Sequence, residues 1–171
     1  YEDDFYLGMD LFGRNLWIGL IVRCADDQGR AQDNATLIKS QVFPADDFTA
    51  AMVEAALAHY ANCGKIARYT AGGKQLIQIV NWWKHQTPQW ANKSRYPAPA
   101  GWNDREKYHA TGSKIIVTNW DKPGGFDTNQ VSNLVTNPHA NLVSNPPDNP
   151  PTKRLNDVKG DVKGDGDGKA E

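Results

Sequence analysis

The sequence predicts an α+β fold in which three helices are followed by a two-stranded β-hairpin, all within the first half of the chain. Two observations carry this expectation. Apolar residues recur at helical spacing in blocks that end before Gly64, and a Gly-Gly pair joins two β-branched runs just after it. A third observation bounds the foldable unit: all six Trp, six Tyr and five Phe of the 171 residues lie at or before Phe126. The stretch 127–171 holds five of the ten prolines and no aromatic residue. It cannot bury enough apolar surface to offset the entropy of ordering it, so it reads as a disordered low-complexity tail. Its short repeats, Asn133–Pro138 with Asn141–Pro146 and Asp157–Gly160 with Asp161–Gly164, have too little apolar content for a solenoid.

The first helix spans Leu11 to Ala25 and is apolar nearly all round between Leu16 and Val22, as a buried helix is. Asp26-Asp27-Gln28-Gly29 ends it in a turn. Asp33 or Asn34 can cap a second helix, Ala35 to Val42, which Pro44 stops. In the third, Thr49 is the expected N-cap, Phe48 and Val53 form a hydrophobic staple, and Val53, Leu57, Tyr60 and Ala61 mark the inner face up to Gly64. The runs Ile66–Thr70 and Gln75–Val80 then flank Ala71-Gly72-Gly73-Lys74, a strong hairpin signal. Three short helices and a hairpin in this order are the elements of a winged helix-turn-helix, with the hairpin as the wing.

Residues 1–10 read as an N-terminal arm, and the opening on Tyr1 as a truncated start. The winged-helix domain covers 11–86. Residues 87–126 form a basic, aromatic and Pro-rich extension. Within it, Lys114–Lys122 echoes Leu76–Lys84 at an offset of 38, sharing the Asn-Trp pair, and predicts one extra strand laid beside the wing.

The net charge of −1 hides an asymmetry: residues 1–64 carry −6 and residues 65–122 carry +7. So dense a basic segment suggests a face that meets phosphate. Lys65, Arg68, Lys74, Lys84, Lys93 and Arg95 border or follow the wing, interleaved with Tyr69, Trp82, Trp83, Trp90 and Tyr96. Cations neutralise phosphates, and exposed aromatic faces stack on unpaired bases. The bland alternative makes the tryptophans core cover and the lysines a solvated face, and Trp82, following the inward run Ile77/Ile79, belongs to the core. Cys24 and Cys63 lack metal-ligand spacing and read as small core residues of a reduced, cytoplasmic protein. No apolar run is long enough to span a membrane. His85 and His109 lack the clustered ligands of a metal nuclease, the glycines form no phosphate loop, and no nucleophile has a base beside it by motif. Neither catalysis nor a metal or cofactor is expected.

Leu16–Arg30 (LWIGLIVRCADDQGR), Ile38–Asp47 (IKSQVFPADD) and Val53–Gln89 together resemble a widespread phage and prophage protein family. Its N-terminal winged helix is similar to that of replisome-organiser and DnaD-type primosome proteins. The resemblance runs from Leu11 to about Pro99 and is most specific in ADDQGR, FPADD and QIVNWWKHQ; Asn156–Glu171 matches the Lys/Gly/Asp tails of such proteins. It implies DNA binding, duplex and single-stranded, in phage replication initiation within the bacterial cytoplasm, with a replicative helicase or its loader as partner. One departure matters. The third helix holds the position that enters the major groove in DNA-binding winged helices, yet Ala45–Gly64 has no Lys or Arg and carries Asp46, Asp47 and Glu54. Either DNA contact falls to Lys39, Ser40 and Gln41 of the second helix together with the wing, or Asp46, Asp47 and Glu54 dock a protein partner. In the second case the chain is an adaptor; a phage transcriptional regulator is a third reading.

Overall fold

A computed structural model describes residues 4–110 and 115–126 of the chain. The expected tail, 127–171, lies outside the described residues. The described residues are mixed α+β, with five α-helices, one π-wound segment and small antiparallel sheets.

Helix α1 (Asp4–Leu7) occupies what reads from sequence as an arm. Helix α2 (Leu11–Gly19) is capped by Asp10, whose carboxylate accepts from the Gly13 N–H at 2.7 Å. The helix runs on as a wider π-wound segment, Leu20–Cys24, closed by the Ala25 N–H on the Leu20 carbonyl at 2.9 Å. Helix α3 (Ala35–Val42) takes Asn34 as its cap, and α4 (Ala50–Asn62) takes Thr49. Both caps satisfy N–H groups that the first helical turn leaves without partners. Asp46 and Asp47 precede α4, in the corner between it and α3, rather than lying on the helix.

Strands β2 (Ile66–Ala71) and β3 (Lys74–Ile79) form the hairpin, paired from Ile66↔Ile79 to Ala71↔Lys74. Gly72 and Gly73 make its turn at φ +57° and +71°, the pair of left-handed conformations that a two-residue turn between right-twisted strands requires. A strand without sequence signal, β1 (Arg30–Gln32), pairs with the free edge of β3, giving a sheet of order β1-β3-β2. The central position of β3 explains why Leu76–Ile79 is buried on both faces.

Register decides what each face meets. Ile66, Ala31 and Ile77 turn towards the helices and pack with Leu16, Leu20, Ile38, Val53, Leu57 and Tyr60 in the main core. Tyr60 completes it by donating to the Gly13 carbonyl at 2.6 Å. Tyr69, Leu76, Gln78 and Arg30 face the other way, where residues after the hairpin cover them.

Those later residues begin with α5 (Trp82–His85), whose two tryptophans are buried. The Trp82 indole donates to the Asp27 carbonyl at 2.9 Å and packs against Gly29 (φ +79°), where a side chain would collide with the ring. Sequence predicts one strand in 87–126, beside the wing. Four short ones occur, β4 (Trp102–Asn103), β5 (Lys107–His109), β6 (Ile116–Thr118) and β7 (Gly125–Phe126), paired as β4–β7 and β5–β6. The echo segment therefore pairs with β5 and not with the hairpin. Both edges of β3 are taken, by β1 and β2.

A buried polar network holds this layer in place. Arg30, 1% exposed, donates to the Gln78 amide oxygen at 3.0 Å and the Tyr96 carbonyl at 2.9 Å, and forms an ion pair with Asp104. Gln28 donates to the carbonyls of Asn92 and Arg105, both at 2.8 Å. A buried cation is tolerated only when paired and hydrogen-bonded, which Arg30 is. Ala91 and Trp102 join the main core, while Tyr96 and Asp104 cover the second face of the sheet through Leu76, Tyr69 and Arg30. Cys24 is buried as expected, whereas Cys63, at the C-terminal cap of α4, is exposed. Among the described residues no helix is long and apolar enough to cross a membrane.

Candidate nucleic-acid interface

The nine residues that sequence marks for DNA do not form one surface. Lys39, Ser40 and Gln41 lie in the last turn of α3; the Ser40 hydroxyl donates back to the Leu37 carbonyl at 2.7 Å, and its side chain stays exposed. Lys65 opens the hairpin with its ammonium 4.9 Å from the Phe5 ring centre. Lys84 is exposed on α5.

Arg68 requires a correction. Its register partner is Ile77, so it faces the helices and not the outer face of the wing. Its guanidinium donates to Asp33 through Nε at 2.7 Å and Nη2 at 2.8 Å, and to Glu54 through Nη1 at 2.6 Å and Nη2 at 3.0 Å. Burial opposes its charge, but hydrogen bonds and attraction from Glu54 and Asp33 outweigh that and raise its pKa above the ordinary arginine value. The side chain is 20% exposed and its donors are taken. It ties β2 to α4, which is not the open cation a phosphate contact needs. The same contact revises Glu54, whose carboxylate is neutralised from below. Asp46 and Asp47 remain exposed in the corner before α4.

The covering layer packs against the hairpin at the level of Tyr96 and Pro97. The Tyr69 hydroxyl donates to the Pro97 carbonyl at 2.7 Å, Tyr69, Leu76 and Tyr96 form a small second core, and Pro97 lies beside Gly72 of the turn. Tyr96 and Pro97 therefore lie against the hairpin, while Asn92 and Ser94 are tied to Asp27 and Asp26 in the turn before β1; Lys74, Lys93 and Arg95 are each exposed. Arg95 sits over the Tyr96 ring at 5.0 Å and Lys93 over Tyr108 at 5.8 Å. A hydrogen bond to the Tyr108 hydroxyl, with the pull of Glu106, holds the Lys93 ammonium above the usual lysine range.

Two basic groups, Lys107 and His109, were not assigned to nucleic-acid contact from sequence. Lys107 lies 5.6 Å from the Trp90 ring centre, and His109 stacks obliquely on the same ring at 4.7 Å. Lys107 and His109 stand two apart on β5 and share a face, an alternation readable only once that strand is recognised. Trp90 keeps a partly exposed face. Trp82, Trp83 and Trp102 are buried and unavailable for stacking.

Two aspartates of the turn before β1 hold the start of the covering layer. Asp26 accepts from Ser94 at 2.6 Å, and Asp27 accepts from the Asn92 backbone and side chain at 2.9 and 2.8 Å. These acidic groups of the first half hold the segment that presents Lys93 and Arg95. Among the described residues no group of three or more His, Cys, Asp or Glu is placed to hold a metal. No family model, curated protein or solved structure matches the chain.

Proposed function

We propose that the chain is a winged-helix nucleic-acid-binding protein that contacts phosphate through the wing turn and the segment beside it, and not through α4. What supports this reading is that Lys74 at the hairpin turn, and Lys93 and Arg95 on the segment whose Pro97 is held by Tyr69, are exposed, while Arg68 is engaged by carboxylates. The winged-helix reading draws on the element order helix, strand, helix, helix, strand, strand, with β3 central in a β1-β3-β2 sheet. Trp90 with His109, and Tyr108 beside Lys93, add aromatic faces suited to unpaired bases, so single strands are substrates as well as duplexes. A role in phage replication initiation follows from the sequence resemblance.

The adaptor reading keeps one observation of its own. The outward surface of α4 carries Ala51, Met52 and Ala55 and no cation, and exposed Asp46 and Asp47 stand before it. This face suits a basic protein partner such as a helicase or its loader better than a phosphate backbone. Fluorescence anisotropy of the full chain on a duplex and on a single strand, repeated across a salt series, tests the choice. Phosphate binding through three cations gives a log–log salt slope of about −3 on duplex. Affinity absent at low salt on both substrates would leave the adaptor reading in its place.

A further inference from the structure

Helix α2 buries one side and leaves another bare. Leu11, Asn15, Ile18 and Val22 follow at spacings of four, three and four, which sets them in one stripe along the helix. Leu11 is 74% exposed, Ile18 45% and Val22 68%. Chains that stay monomeric rarely leave a contiguous apolar row of this kind to water. The stripe borders an open groove of about 750 Å³ between α2 and the corner that joins α3 to α4.

The charges along the groove run in one direction. Phe12 stacks with Phe43 and Phe48, so the end near Phe12 carries Asp10 and Asp46, while Arg23 lies at the far end, past the contact of Gly19 with Val42. An antiparallel two-fold pairing centred between Leu16 and Trp17 matches this pattern with itself. Leu11 then meets Val22 of the other copy, Asn15 meets Ile18, and Asp10 comes level with Arg23, each twice over. A parallel pairing would set Arg23 against Arg23. Self-complementarity of apolar positions and of charge under one axis is the requirement of an isologous interface. We infer that α2 is the interface of a homodimer, packed antiparallel across this stripe, with Asn15 as the polar residue that fixes its register.

Sedimentation equilibrium of the full chain tests this, with twice the monomer mass expected at micromolar concentration. Ile18→Asp should return the chain to the monomer while its circular-dichroism spectrum stays that of the parent, because Ile18 is exposed within the protomer. Geometry is read by cross-linking in a Cys63→Ser background, which removes the exposed native thiol. Leu11→Cys chains mixed with Val22→Cys chains should form a disulfide-linked dimer on oxidation, while Leu11→Cys chains alone should not. A monomer at all concentrations would overturn the proposal, as would cross-linking of Leu11→Cys chains with one another. A monomer in which Ile18→Cys resists alkylation would overturn it too, and would assign the groove to a segment of the same chain outside the described residues.

Discussion

Arg68 and Glu54 meet through two parallel hydrogen bonds, Nη1 to Oε1 at 2.6 Å and Nη2 to Oε2 at 3.0 Å, which join the first strand of the hairpin, β2, to the outer side of helix α4. The pair has two consequences for recognition. It withdraws a cation from the wing, and it cancels the only carboxylate that lies on α4. The asymmetry between an acidic helix and a basic hairpin is thus smaller at the surface than in the sequence, and Lys74, Lys93 and Arg95 are left as exposed cations.

Removing Arg68 should therefore cost stability and spare binding. Arg68→Ala leaves Asp33 buried without its ion partner and should lower the unfolding free energy by about 1–3 kcal/mol. Glu54→Ala, at an exposed carboxylate, should cost roughly 0.5 kcal/mol. Urea denaturation of both variants and of the double variant gives the coupling between the two sites. An Arg68→Ala protein as stable as the parent, with weakened nucleic-acid affinity, would restore Arg68 to the phosphate-binding set.

The covering layer should depend on Arg30 and Asp104 as a unit. Asp104→Ala leaves a guanidinium that is almost wholly buried without its counter-ion, at a cost of about 3–5 kcal/mol. Hydrogen exchange should then speed up at Ala91 and Lys107, whose backbones bond to each other at 2.8 Å, before it does in α4. Uniform loss of protection across the whole chain would show that the layer and the helical core do not open separately.

Helices α2, α3 and α4 and the hairpin were legible because each carries its own local signal: a cap, an apolar period, or a Gly-Gly turn. Strand β1 was not, since Arg-Ala-Gln has no strand pattern and extends only because β3 offers it an edge. The four strands of the covering layer are two or three residues long and owe their pairing to contacts with the sheet beneath. Arg30 and Arg68 mark the limit of charge reading. Arginine in sequence suggests surface, and what places these two inside are carboxylates 74 and 35 residues distant. Lys74, Lys93 and Arg95 are exposed, and the tyrosine–proline contact that holds Pro97 against the hairpin is one that no spacing encodes.

Alkaline pH should destabilise the fold earlier than it would a chain with ordinary thiols and phenols. Burial pushes the Cys24 thiol up to about 11, against a smaller lowering by Arg23, and burial pushes the Tyr69 phenol up to about 12. Tyr60 is raised as well, first by burial and then by Asp10. The unfolded chain gives up these protons at lower pH than the folded one. Stability is thus fully present below about pH 9 and falls as pH rises through about 11. Melting temperature followed against pH should show that decline, and Cys24→Ala should remove its earliest part. A melting temperature that rises over this window would contradict the assignment.

The direct measurement of the recognition surface is the salt dependence of duplex binding for the full chain and for the Lys74→Ala/Lys93→Ala/Arg95→Ala variant, with Arg68→Ala alongside. If phosphate is met beside the wing, the triple variant should bind more weakly on every sequence. Its log–log salt slope should be flatter by about 3 units, near one per lost contact, while Arg68→Ala keeps the parental slope. A triple variant with unchanged affinity and slope, or a slope lost with Arg68 alone, would show that the wing and its buttress are not where nucleic acid binds.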